Sequence, residues 1–287
     1  VAIVALVFAT LATAWSWPGA YGGIVSFGHA IFFGIGAYAV AVSNLRGGSP
    51  WYGALGGALA AVAVAAIWAL VSLRGRGYVF ALVTLALGVV AEPIVAARSW
   101  IGPANALAFP IRPGFLNLQF TQKWPYIVLA LAVFAVAQAL TAGLRASRIS
   151  YELRALNADP VATRGLGIAA FPPRFLALVV SAFVTSVAGS LLAEYSLGVN
   201  AQVFAFSLAC DIALIGIVAG TASAWGAPLA GALYALVARS VALHPAGPVG
   251  AVVLVVEIAL VIAFSLASGS GWSRLRRPMG VLARGAA

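Results

Sequence analysis

Polar positions are so sparse along this chain that the apolar ones form blocks instead of an alternating or helical-period scatter. Read between the polar interruptions, nine apolar segments emerge, at roughly 1–17, 28–45, 51–73, 78–97, 124–144, 175–194, 205–219, 226–243 and 249–267. The clearest, "WYGALGGALAAVAVAAIWALVSL" from Trp51 to Leu73, carries no charge at all. About 20 such residues, rising about 1.5 Å each, cross the hydrocarbon core of a bilayer. Segment 205–219 is short for a full crossing, which predicts a broken or tilted helix. The pattern predicts an all-α, polytopic bundle of about nine membrane segments, forming one transmembrane domain over 1–287.

The connections between segments carry the polar residues and set the orientation. Arg74 and Arg76 share one connection, Arg145, Arg148, Arg154, Arg164 and Arg174 another, and Arg274, Arg276, Arg277 and Arg284 the tail. Nine crossings place these three regions on one side, with eleven basic residues. Arg46, Arg98, Arg112, Lys123 and Arg239 are the five on the other. Basic residues concentrate in cytoplasmic loops, so the richer side and the C-terminus are expected to be cytoplasmic. Residue 1 then lies outside, and one further helix is expected upstream. Trp51, Trp100 and Trp124 sit at segment ends, where tryptophan favours the membrane–water interface.

Composition agrees and removes several alternatives. The 287 residues are 63% apolar and 8% charged, whereas soluble domains are typically about half apolar and about a quarter charged. The net charge of +10 belongs to the topology signal, because no soluble segment is long enough to form a nucleic-acid-binding domain. One cysteine, Cys210, excludes an intramolecular disulfide framework, and no Cys/His cluster offers a metal site. Lys123, the sole lysine, stands in "TQKWPY", so the chain has no phosphate-binding Gly-x-x-x-x-Gly-Lys-Ser/Thr loop. Neither a His-Glu-x-x-His pair nor a Gly-x-Ser-x-Gly elbow occurs. The chain is expected to be no enzyme and to hold no cofactor.

Two connections are long enough to hold structure: 98–123, punctuated by Pro103, Pro110 and Pro113, and 145–174, the most polar stretch. Within the second, Glu152 to Leu156 are good helix formers. Asp159 then reads as an N-cap with Pro160 at the first helical position, and Gly165 or Gly167 as the stop before "FPPR". A short basic helix pair along the membrane face suits docking into a groove on a soluble partner. From composition alone an ordinary basic loop with a surface helix is the commoner case, and both readings stay open.

The same stretch, "SRISYELRALNADPVATRGLGI", resembles the cytoplasmic coupling loop of branched-chain amino acid ABC importer permeases, the LivM-like family. Ser147, Arg148, Leu153, Arg154, Ala155, Asp159, Ala162, Arg164, Leu166, Gly167 and Ile168 match its pattern. "SFGHAIFFGIGAY" resembles the family's Ser-Leu-Gly-His-Ala signature, and "YVFALVTLALGVV", "VAGSLLAEYSLG" and "GTASAWGAPLAGALYAL" resemble later blocks. The likeness runs in order from about residue 15 to 245. Ser150 and Tyr151 depart from the usual Gly-Arg, and Ala158 and Pro160 stand where acidic residues are common.

That resemblance implies a permease subunit working with a homologous permease, two cytoplasmic ATPases and an extracytoplasmic solute-binding protein in the plasma (inner) membrane. Arg154, Ala155, Asp159, Arg164 and Gly167 would couple to the ATPases. Gly28, His29, Gly34, Gly36 and Asp211 would shape the path or the packing around it. The glycines approximate a small-residue packing stripe. His29 is read either as a polar anchor or as a gate. Glu92, Asp211 and Glu257 fall in apolar segments, where ionisable residues are functional candidates by default. Branched-chain or other hydrophobic amino acids are the expected solutes. Alternatives are a permease for urea or short amides, an ion-coupled carrier using those three acids, or a membrane scaffold that moves no solute.

Overall fold

A computed structural model describes residues 1–72, 77–97, 107–219 and 224–243. Ten α-helices occur in this range. They are α1 (Ala2–Ser16), α2 (His29–Leu45), α3 (Pro50–Ser72), α4 (Gly77–Ala96) and α5 (Trp124–Ala146), then α6 (Arg148–Ala158), α7 (Pro160–Gly165), α8 (Phe171–Ser196), α9 (Phe206–Ala219) and α10 (Gly226–Leu243). Each of the first eight apolar segments of the sequence holds one helix, and the ninth, 249–267, lies outside the described residues. Five helical stretches, Ala2–Tyr21, Pro50–Leu70, Val79–Ala96, Trp124–Ala146 and Phe171–Ser196, are long and apolar enough to cross a membrane, while α2, α9 and α10 supply shorter apolar stretches.

Proline chemistry fixes several boundaries. Pro50 opens α3, Pro125 stands in the first turn of α5, Pro160 opens α7, and Pro172 and Pro173 stand in the first turn of α8. A missing N–H is harmless at those positions. "FPPR" is expected from sequence only to stop the preceding helix; it starts the next one, so α8 begins four residues ahead of the predicted span at 175. Asp159 caps α7 as expected, its carboxylate accepting the Val161 and Ala162 N–H groups at 2.8 and 3.0 Å. Of the two candidate stops, Gly167 is the one that turns the chain. Its φ of +80° places it in the left-handed region, and Ile168 N–H reaches back to the Thr163 carbonyl.

Helix α1 does not simply end. Pro18 has no N–H to give the Ala14 carbonyl, and the chain widens into a π-helical turn, Trp17–Tyr21, before an irregular run to Gly28. Trp15, near the end of α1, and Trp17 and Tyr21 on this turn are each 2% exposed or less.

The centre of the bundle is α1, α2 and α8, with α3 against α2 and α8, and α10 and α9 against α1. Lipid is as apolar as leucine, so burial alone does not hold such helices together; close packing of small residues does. Helices α2 and α8 run parallel, with His29 beside Ser181 and Asn44 beside Glu194. A Cβ on Gly36 would collide with the Ser186 carbonyl, and one on Gly189 with the Phe33 carbonyl. Ala61, Ala65 and Ala69, one turn apart on α3, join the cluster around Phe32, Leu178 and Ala182. The glycine stripe of the sequence is therefore partly a packing seam: Gly36 lets α8 approach, whereas Gly28 and Gly34 make room for the Trp68 and Phe204 rings.

Gly143 on α5 is the opposite case, because a Cβ there would meet nothing within 4 Å. Gly143→Ala is expected to raise stability by about 0.5–1 kcal/mol, the helix-propensity difference. A thermal melt of the detergent-solubilised protein checks this.

The connections sort to two ends. At one, the turn after α1 meets α6, through Asn157 and the Ala20 carbonyl at 2.9 Å. At the other, the Ser49 hydroxyl and Trp51 Nε1 donate to the carbonyls of Leu116 and Phe115, at 2.8 and 3.2 Å. There β1 (Leu107–Ala108) also pairs antiparallel with β2 (Gly198–Val199). This is the alternation expected of six successive crossings.

Candidate functional site

The expected coupling residues form a compact ledge on that first end. The inner face of α6 is anchored by Leu153 and Leu156, both fully buried, and Leu153 joins the cluster of Trp17, Tyr21 and Ala137. Arg154 does not point simply away. Its guanidinium lies over the Tyr21 ring, 5.2 Å from the centroid, and the Tyr21 hydroxyl takes a hydrogen bond from Arg145 at 3.1 Å. Arg174 donates to the Leu156 carbonyl at 3.5 Å. Gly23, with φ +67°, lies where any side chain would meet Asn157. The ledge is thus tied to the turn that leads into α2.

The outer face of the ledge is different. Tyr151, Val161 and Leu166 are 71–80% exposed, and Arg164 is exposed beside them, its Nε donating to the Pro160 carbonyl. Ala155 is half-buried and its carbonyl accepts the Asp159 N–H. Glu152 pairs with Arg148 at 2.8 Å.

The two N–H groups on Asp159 hold its carboxyl below the usual carboxylate range. A carboxyl whose folded value is depressed stabilises the fold above its unfolded value and loses that contribution as pH falls through the folded one. Opening of the first turn of α7 is therefore expected below the ordinary aspartate range. Amide protection at Val161 and Ala162 should fall there, and be low at every pH in Asp159→Ala.

Along α2 and α8 runs a second set of polar groups. His29 is fully buried, against the rings of Trp15 and Phe32, and its Nε2 lies 2.7 Å from the Ser181 hydroxyl. That hydroxyl donates its one hydrogen to the Ala14 carbonyl at 2.8 Å. It must therefore accept from His29, which puts a hydrogen on Nε2. The Ala14 carbonyl is the one that Pro18 leaves without its regular helical donor; Trp17 N–H and Ser181 serve it instead. A broken helix at membrane depth needs such substitutes. In this geometry His29 is an anchor.

Farther along, Ser190 donates to the Gly36 carbonyl at 3.1 Å, and Asn44 donates to Glu194. Glu194 is 1% exposed. Sequence reasoning, which singles out Glu92, Asp211 and Glu257, misses it because the apolar segment ends at 194 and the acid looks like a boundary residue. Ser181, Asn44, Tyr21 and Asn157 are missed too. Small polar residues carry no periodic signal of their partners.

The structure does not bring the remaining candidates together. Asp211, on α9, shares a hydrogen bond with Tyr234 of α10. Glu92 is half-buried on α4, one residue before Pro93. Arg98 and Glu257 lie outside the described residues, as do Arg74, Arg76, Trp100 and the basic tail. Among the described residues no group of His, Cys, Asp or Glu could hold a metal ion.

Comparison with known proteins gives one family. The model of the branched-chain amino acid transport system / permease component matches residues 1–266. No curated protein and no solved structure matches the chain. The helical architecture and this match across nearly the whole length agree with the motif resemblance found in the sequence. The chain is a multi-pass membrane transporter subunit belonging to the branched-chain amino acid permease family.

Proposed function

We propose that this chain is the permease of an ATP-driven importer for branched-chain or other hydrophobic amino acids. ATP is hydrolysed on two separate cytoplasmic chains, a homologous permease completes the pore, and an extracytoplasmic binding protein delivers the solute. Residues 1–287 act as one permease domain with 145–174 as its coupling loop, and the α6–α7 end and the C-terminus face the cytoplasm. The observation that carries the reading is the two-faced ledge. Exposed Tyr151, Val161, Arg164 and Leu166 offer an apolar and basic docking surface, while the inner face is locked onto Tyr21 and Ala20.

The mechanism follows from those ties. Movement of the ATPases displaces α6 and α7 as a unit. Arg154 and Asn157 pass the displacement to the turn at Trp17–Tyr21, and through Gly23 and Gly28 to the start of α2. Asp159 and Gly167 keep α7 folded and correctly ended, and Arg164 makes the charge contact. Arg154 acts as the inward link, so reversing it would damage the ledge itself.

Co-purification tests the reading. Tagged protein expressed in its native host should bring down an ATPase in mild detergent, and Arg164→Glu with Leu166→Asp should lose it while melting at the same temperature. No ATPase with the intact protein would overturn the importer reading.

A further inference from the structure

On the ledge side of the bundle, a groove of about 290 Å³ lies between α5 and α8, with Trp17 of the π-helical turn lining it. Along α5 it runs from Ala139 to Ser147, about 12 Å of helix. Trp17 and Ala177 are its buried lining, whereas Leu140 and Leu176 are 39% and 43% exposed. Gly143 lines it too and presents no side chain, with nothing within 4 Å of where a Cβ would stand.

The lining offers no free donor to a polar ligand. Its polar side chains are Trp17 and Ser147, and the hydrogens of both are committed. Trp17 Nε1 donates to the Thr141 hydroxyl at 3.0 Å, and the Ser147 hydroxyl donates to the Leu144 carbonyl at 2.7 Å. A polar solute would go largely unpaired there. The groove also opens where the bundle meets lipid. Val128, Leu131, Val136 and Leu140 are exposed along α5, a helix long and apolar enough to cross a membrane. At the polar end of that helix the chain is basic. Arg148 stands between the lining residues Ser147 and Ile149 with its side chain 87% exposed, and Arg145 lies two residues before Ser147. Glu152, paired with Arg148, sets one carboxylate against these two guanidinium groups, which leaves the turn net basic. Arginines at the end of a membrane helix reach the headgroup layer.

We propose that this groove seats one acyl chain of an anionic phospholipid from the ledge-side leaflet, with the lipid head at the turn of Arg145 and Arg148. Trp17 belongs to the turn that Tyr21 and Ala20 tie to the ledge, so the seated chain props that turn against α5 and α8. The consequence for transport rests on the proposed coupling mechanism, in which lipid then sets how freely the ledge moves α2. The binding itself belongs to this chain alone and is measured without an ATPase, so its failure is distinct from failure to recruit one.

The test places the purified full chain in phosphatidylcholine nanodiscs with trace phosphatidylglycerol carrying a photoreactive diazirine in one acyl chain. Irradiation should leave adducts on the peptides holding Gly143 and Leu176, and unlabelled phosphatidylglycerol should chase them. A phosphatidylcholine probe with the same chain should label these peptides about fivefold less, the scale of one net basic charge near anionic headgroups. Gly143→Phe keeps both arginines and fills the groove. With nothing within 4 Å of that Cβ it should melt no lower than the intact chain and lose the adducts, while adducts at exposed Leu82 and Val90 of α4 persist. Arg148→Gln removes the net charge and should bring the two probes level. Unchanged labelling in Gly143→Phe, labelling that phosphatidylglycerol does not chase, or equal labelling of the intact chain by both probes would overturn the proposal. No adduct on the groove peptides of the intact chain would overturn it too, by showing that another segment covers the groove.

Discussion

Gly189→Val is expected to destabilise the bundle by about 3 kcal/mol, the upper part of the range for overpacking. The reason is the identity of the obstacle. A Cβ at Gly189 would meet the backbone carbonyl of Phe33, with its Cα behind it, and no flexible side-chain end that could swing away. Helices α2 and α8 would have to separate along a shared length that also includes Gly36 against Ser186. In a bilayer the loss is direct, because contact between helices is a large part of what favours association. A lower melting temperature and reduced yield of monodisperse protein would be the readout. Gly143→Ala is the control for helix propensity. Wild-type stability in Gly189→Val would mean that α2 and α8 do not pack as described.

Ser181→Ala should cost more than His29→Phe, although it removes a far smaller group. The serine hydroxyl serves both sides of its contact: it accepts from His29 Nε2 and donates to the Ala14 carbonyl. Without it, the Nε2 hydrogen is orphaned in a pocket where His29 is fully buried and Nδ1 already has no partner. An orphaned buried polar group costs roughly 1–3 kcal/mol. His29→Phe orphans nothing, since Ser181 keeps its bond to Ala14 and the new ring meets the Trp15 and Phe32 neighbours. The double variant should recover part of the Ser181→Ala loss, a non-additivity expected only of groups in contact. Equal losses in the two single variants, or additive ones, would remove the anchor account and return His29 to the role of a gate.

Both results concern positions where the sequence is readable to different depths. The apolar blocks, Pro160 at the start of α7, the Asp159 cap and a glycine stop at 165 or 167 are legible because each is a local matter of hydrophobic length or of one backbone group's partner. So is the family, carried by motifs in fixed order. Expectation and structure part at "FPPR", where a helix stop and a helix start share the same chemistry.

The chain itself thus determined that it crosses a membrane several times, where most helices lie, and that its 145–174 loop forms a capped helix pair. Those properties depend on contacts within a few residues or on total apolar length. Only the tertiary structure decided that Arg154 stacks on Tyr21, that Ser181 serves a carbonyl freed by Pro18, and that Glu194 meets Asn44. Each of those pairs joins residues far apart in sequence. In a uniformly apolar chain, what selects such partners is the geometry of close helix packing and the need of every buried polar group for a mate.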